Sequence, residues 1–255
     1  MLYISDEEIA EILTMREAID AVEKAFGEYA RGSAMMPPRS TMMIDKHNGS
    51  VSLMPSYLEE TNALATKIIS IYPDNPRKGL PTTVAWIVVN DPETGMLDAM
   101  LDGTYLTAMR TGAVSGVAAR YLAPKDSRVA AVIGCGAQGK TQAWAISEVL
   151  GLEEMRVFDL SEEGMNGFAE EMGPKLGLDM VKAGSGAEAV KDADVVLTAT
   201  TSRNPVVRRE GLGGRVPRGG RGGVFPRHRG LGTRGIPGGE GGGGRHEGLL
   251  GQGGG

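Results

Sequence analysis

The sequence predicts an α/β protein in two parts, an α+β module of helices and a strand meander followed by a parallel sheet covered by helices. Three observations carry that prediction. Two capping boxes open the chain, short β-like runs separated by turn residues fill positions 39 to 101, and from Val129 strand and helix patterns alternate. Strands joined by helices need crossover connections, and crossovers give a parallel sheet with helices on its faces.

Each element has its own signal. Ser5-x-x-Glu8 and Thr14-x-x-Glu17 place an N-cap hydroxyl three residues before an acid that can answer it. Ile9, Ile12, Leu13, Ile19, Val22 and Phe26 then recur at helical spacing, so two amphipathic helices are expected. The runs "RSTMMID", "SVSLMPSYL", "ALATKIISIY", "TTVAWIVVND" and "MLDAML" read as strands, with turns at Asn48-Gly49 and "DPETG", and imply a mostly antiparallel sheet. Thr104 to Ala123 reads as a long helix whose Gly and Ala positions permit close backbone packing, ended by Pro124. Beyond it come a strand at Val129 to Ile133, a helix in "KTQAWAISEVL", a strand in "MRVFDL", a helix from Glu162 to Leu176 and a buried strand in "DADVVLTATT". Domain boundaries are expected at 1–123, 124–210 and 211–255.

Composition changes abruptly at the last boundary. The full chain has 255 residues and a net charge of −5. From Gly211 to Gly255 there are 21 glycines and 7 arginines against 2 acids, so residues 1 to 210 carry about −10 and the rest about +5. An acidic body argues against nucleic acid or an anionic membrane as partner. One cysteine excludes an internal disulfide framework and suits a reducing compartment. With no signal-like amino terminus and no long apolar span, a cytoplasmic protein is expected; no metal site is expected.

The most specific motif is Gly134-Cys-Gly136-Ala137-Gln138-Gly139 between a strand and a helix. Gly134 would permit a tight turn, Gly136 the close approach of a pyrophosphate, and Gly139 the contact of helix with strand. Asp159 follows 20 residues after Gly139, at the end of the next strand, where an acid accepts both ribose hydroxyls of NAD and repels a 2′-phosphate. The second part is therefore a Rossmann-type domain, and NAD is the expected cofactor. Cys135, inside the motif and without a partner thiol, reads as a small residue beneath the turn.

Three cations in the first part are out of place. Arg39 follows "MMPP", Lys67 interrupts the apolar run "LATKIISIY", and Arg110 lies mid-helix among Met109, Gly112 and Ala113. Singly each could be a snorkelling side chain. Together, beside a dinucleotide domain, they are what an α-amino or α-imino acid would require: arginine clamps a carboxylate, and a desolvated lysine can lose its proton.

The stretches "MPPRSTM", "LMPSYL", "ATKIIS", "NPRKGLPTTVA", "DPETGMLDAMLDG", "LTAMRTGAVSGVAARYLAP" and "VIGCGAQG" resemble the ornithine cyclodeaminase/μ-crystallin family in order over residues 1 to about 210. The resemblance implies a homodimer with a substrate-binding and dimerisation domain and a Rossmann domain. It implies that Arg39 and Arg110 hold a substrate carboxylate, that Lys67 is the catalytic residue, and that Met54 lines the pocket. It further implies that Arg110 and Thr111, with Gly136, Ala137, Gln138 and Gly139, meet the cofactor. The texture is nearest to the archaeal alanine dehydrogenases of that family, so oxidation of alanine to pyruvate and ammonia is expected. Ornithine cyclisation, reduction of cyclic ketimines, and non-catalytic binding of NAD or a small ligand are the alternatives.

The tail breaks the resemblance. The family continues "NPVVRRE" with a tryptophan-containing helix and a strand ending in an Ile-Gly-Ala-Asp-x-Pro-Gly type motif. Here "RGGRGG" at Arg218 to Gly223 could instead suggest an RNA-binding tail, but it begins before the parallel sheet is complete. Codons for Arg227 to Gly235, read one nucleotide later, can spell Ala-Ile-Gly-Ala-Ser-Ala-Pro-Gly. Residues 211–255 are therefore expected to be frameshifted and disordered, the Rossmann domain incomplete, and the chain as written inactive.

Overall fold

The first two helices begin where their caps dictate. The structure is a computed structural model, and it describes residues 2–200, 202, 206 and 207 and the strand Gly223–Val224. After the short strand β1 (Leu2–Ile4), helix α1 (Asp6–Ile12) starts at Ser5, with both capping-box bonds made. Helix α2 (Met15–Arg31) starts in the same way at Thr14 and ends at Gly32, whose φ of 82° is left-handed. The apolar stripe is narrower than its spacing suggests: Ile9 and Ile19 are buried, but Ile12 and Phe26 are 68% and 47% exposed. Only the first half of α2, through Met15, Ala18 and Ile19, packs into the cluster formed with Met109, Ala113, Val117 and Ala145.

The meander follows as β2 (Ala34–Met35), β3 (Ser40–Ile44), β4 (Gly49–Leu58), β5 (Ala63–Ile71), β6 (Thr83–Asn90) and β7 (Leu97–Asp102). These form a seven-stranded sheet in the order β1-β7-β6-β5-β4-β2, with β3 also on β4. All pairs are antiparallel except β1 with β7, which pair in parallel. Two- and three-residue strands carry too little periodicity to be read from sequence, and β1 and β2 are of that kind.

Helix α3 (Thr104–Leu122) follows β7 and stops before Pro124. Its N-cap, Gly103, has no side chain, and two acids take over, one adjacent and one distant in sequence: Asp102 Oδ1 accepts from Thr104 N at 3.1 Å and Asp6 Oδ1 from Tyr105 N at 3.0 Å. Mid-helix, a Cβ on Gly112 would stand 2.5 Å from the Thr141 carbonyl oxygen, so α3 approaches the next helix backbone to backbone. At its far end, Ala119 and Ala123 enter the core of the second part of the chain.

That second part runs β8 (Val129–Ile133), α4 (Ala137–Ser147), β9 (Glu154–Phe158), α5 (Glu162–Leu176), β10 (Asp179–Lys182), α6 (Gly186–Val190), β11 (Val195–Thr198) and β12 (Gly223–Val224). Every pair is parallel, in the order β10-β9-β8-β11-β12. One face buries Val132, Ile146, Met155, Val157, Phe168 and Leu197, and the other Ile133, Ala189, Val190 and Val207. The chain winds outwards in both directions from β8, which puts a crevice beyond the carboxyl ends of β8 and β11. Strand β12 lies within the segment expected to be disordered. The rest of 211–255 lies outside the described residues. No helix among the described residues is long and apolar enough to cross a membrane.

Candidate active site

The glycine motif occupies that crevice. Gly134 follows β8 with φ of 103°, a conformation that side-chain-bearing residues rarely adopt, and an added Cβ would stand 2.6 Å from the Ala199 carbonyl oxygen. At Gly139 a Cβ would collide with the Gly134 carbonyl oxygen, so the helix can lie this close to the strand only with glycine there. Gly136 is the opposite case: nothing lies within 4 Å of its Cβ position. It is also the N-cap of α4 and supplies no capping side chain, leaving the first-turn N–H groups of an 11-residue helix without an internal acceptor. Space beside exposed backbone at the positive end of a helix is what a pyrophosphate requires. Ala137 is exposed, and Gln138 buries its Oε1 without a partner.

Asp159, one residue past β9, is held in place from both sides. Its Oδ2 accepts from Cys135 N at 2.8 Å and its Oδ1 from Ser161 N at 3.0 Å. Each carboxylate oxygen keeps a free lone pair, enough for two hydroxyl donors. Beside it opens a cleft of about 320 Å³ lined by Phe158, Asp159, Leu160, Glu162, Met165 and residues Lys182 to Gly184. The Cys135 thiol is buried, and burial with the charge of Asp159 pushes it up to about 12.

The cations come together from three elements. In the antiparallel ladders Met54 stands opposite Lys67, and Lys67 opposite Ile87. Arg39 immediately precedes Ser40, the first residue of β3, which pairs with Leu53 beside Met54. Met54, Lys67 and Ile87 therefore form one row across the sheet, on one face of it, and Arg39 lies near enough for its charge to act on Lys67. Helix α3 brings Arg110 to the same place. Burial, and the charges of Arg110 and Arg39, lower Lys67 to about 8. Arg110 is exposed as a residue, yet desolvation of its guanidinium and the nearby Arg39 lower its pKa too. None of the three makes an ion pair or hydrogen bond among the described residues. Thr111 donates its hydroxyl to Thr107 O at 2.8 Å, next to the close contact of Gly112 with α4.

A cluster of unpaired cations leaves room for an anion. The model of the ornithine cyclodeaminase/mu-crystallin family matches residues 2–216. The chain belongs to that family. Among its relatives within the ornithine cyclodeaminase/mu-crystallin family is the alanine dehydrogenase of Archaeoglobus fulgidus, 39% identical over 212 residues, which are 82% of this chain and 63% of that protein. A Thermococcus litoralis Δ1-pyrroline-2-carboxylate reductase, solved with NADH and L-proline, superposes with a TM-score of 0.79 at 46% identity, covering 83% of this chain and 66% of that one. An archaeal alanine dehydrogenase dimer with bound NAD superposes at 0.78 with 38% identity, covering 83% and 64%. The chain thus spans under two thirds of the length of these family members.

Sequence reasoning missed β10 and the cleft-side residues at its end, Lys182 to Gly184. Strand β10 is four residues long, "DMVK", and its only signal is the pair of glycines that bracket it, Gly177 and Gly184. Asp6, which caps α3 from 99 residues away, carried no signal beyond its place in a capping box.

Proposed function

We propose that this chain is an NAD-dependent oxidoreductase acting on a small α-amino or α-imino acid. The observation that carries the reading is the group Arg39, Lys67 and Arg110, three cations with no acid partner among the described residues. Uncompensated cations are costly unless a ligand pairs with them, and a carboxylate suits arginine's fork. Arg39 and Arg110 would hold it. Lys67, at about 8, would exchange a proton with the substrate nitrogen or an adjacent water.

The residues around the glycine turn fit a dinucleotide. The open backbone at Gly136 and the α4 N-terminus would receive its pyrophosphate, and Gln138, Arg110 and Thr111 would join them in holding it. Asp159 would accept from the ribose hydroxyls. When bound, the nicotinamide supplies two-electron exchange with the substrate Cα. The NAD named in both superposed structures supports this choice.

Within that class we keep alanine dehydrogenase as the leading activity, supported by the Archaeoglobus relative and the archaeal dimer. Cyclic imine reduction is the second reading, favoured by the 46% identity to the Thermococcus reductase. A homodimer is the proposed assembly. It is supported by the dimer of the archaeal alanine dehydrogenase and by apolar side chains left on the first sheet, Met42 and Leu53 among them, at 61% and 44% exposure.

NADH titrated into the purified chain tests the coenzyme. NADH absorbance with pyruvate plus ammonium, with ornithine plus NAD, and with Δ1-pyrroline-2-carboxylate tests the substrate, on protein from the gene with its frame restored after Glu210. Binding with turnover of one substrate is expected. A chain that binds no nucleotide defeats the proposal, and a shifted frame that meets an early stop defeats the frameshift.

A further inference from the structure

We infer that Lys182 is a second determinant of coenzyme choice, silent while Asp159 is present and able to recruit a 2′-phosphate once it is gone. The inference rests on the coenzyme reading above and concerns the cleft beyond β9 and β10. Two acids, Asp159 and Glu162, line that cleft together with one cation, Lys182. Asp159 cannot swing away from a 2′-phosphate, because Cys135 N and Ser161 N hold its two oxygens at 2.8 and 3.0 Å. Discrimination by this acid is therefore built into the backbone, not into a movable rotamer.

Lys182 is placed differently. It is the last residue of β10, it is exposed, and its ammonium donates to Asn166 Oδ1 at 2.7 Å. Among the described residues no acid pairs with it. An ammonium on a neutral amide keeps its whole charge and two further donor directions. With both acids present the cleft carries a net −1, so a phosphate group of about −1.5 to −2 is repelled in spite of the lysine. Replacing Asp159 by serine brings the sum to zero and leaves a hydroxyl donor where the carboxylate was. Lys182 is then the charge within the cleft that can answer a phosphate.

The test is direct binding of NADH and NADPH to the purified chain, followed by fluorescence, for wild type, Asp159→Ser, Lys182→Met and the double variant. Wild type and Lys182→Met should bind NADH with similar affinity and prefer it over NADPH. Asp159→Ser should weaken NADH and tighten NADPH by about tenfold or more. Adding Lys182→Met to Asp159→Ser should cost NADPH about tenfold and leave NADH within about twofold. Equal loss of both nucleotides in the double variant, or no loss of NADPH, overturns the role of Lys182. A wild-type chain that binds neither nucleotide overturns the coenzyme reading and this inference with it.

Discussion

The guanidinium of Arg110, on α3, and the ammonium of Lys67, on β5, share one site with no carboxylate of the described residues to separate their charges. Arg110 is one of the reasons that Lys67 falls to about 8. This arrangement costs stability, which an anion bound there would relieve.

Replacing Lys67 by methionine should make the protein more stable. In the unfolded chain the lysine titrates near 10.5, in the folded one near 8, so between those values the unfolded state holds more protons and stability rises with pH. The handicap is complete below pH 8 and gone above 10.5. Lys67→Met should therefore raise Tm at pH 7 by about 2–4 °C. Thermal melts should show the gap closing towards pH 10.5, and a gap that stays constant would refute the charge argument.

A small carboxylate should stabilise the wild-type chain. Pyruvate or L-proline at 100 times its Kd would contribute about 2.7 kcal/mol to unfolding free energy. Arg110→Met removes half of the clamp and should weaken binding by about 2 kcal/mol, roughly 30-fold. Calorimetric titration would read this directly. Unchanged affinity in Arg110→Met would place the anion elsewhere.

Gly136 and Gly139 should respond in opposite ways to alanine. At Gly139 the new Cβ meets the Gly134 carbonyl oxygen, which is backbone and cannot yield cheaply, so folding should lose about 1–3 kcal/mol. At Gly136 the space is open, so folding should be little affected while NADH binding falls, because the methyl occupies the room beside the α4 N-terminus. Urea unfolding and nucleotide titration on both variants separate the two roles. Equal destabilisation of both would contradict the geometry.

Cys135 should be inert in the folded protein. Its thiol is buried and stands near 12, so at pH 8 almost no thiolate exists to react. Iodoacetamide at pH 8 should label the urea-unfolded chain fully and the native chain hardly at all, as read by mass spectrometry. Fast native labelling would mean that the turn opens.

The glycine turn was readable because all its parts are local. Gly134, Gly136, Gly139 and Asp159 lie within 26 residues, and strand, tight turn and helix fix their relation before any distant contact forms. The same locality made Ser5 and Thr14 reliable helix starts. Where the signal was short, at β1, β2 and β10, reading failed, and with β10 went Lys182.

Sequence by itself therefore determined the class of fold, the helix and strand periods, the dinucleotide turn and the oddity of three cations in apolar surroundings. Only the tertiary structure decided that they meet. Met54 and Lys67 become neighbours through strand register, which depends on pairings between separate segments of the chain, and Arg39 comes near Lys67 from the residue before β3. Arg110 joins them because α3 is capped by Asp6 and wedged against α4 at Gly112. The lowered pKa of Lys67 belongs to that meeting, since burial and neighbouring charge are properties of a place and not of a residue.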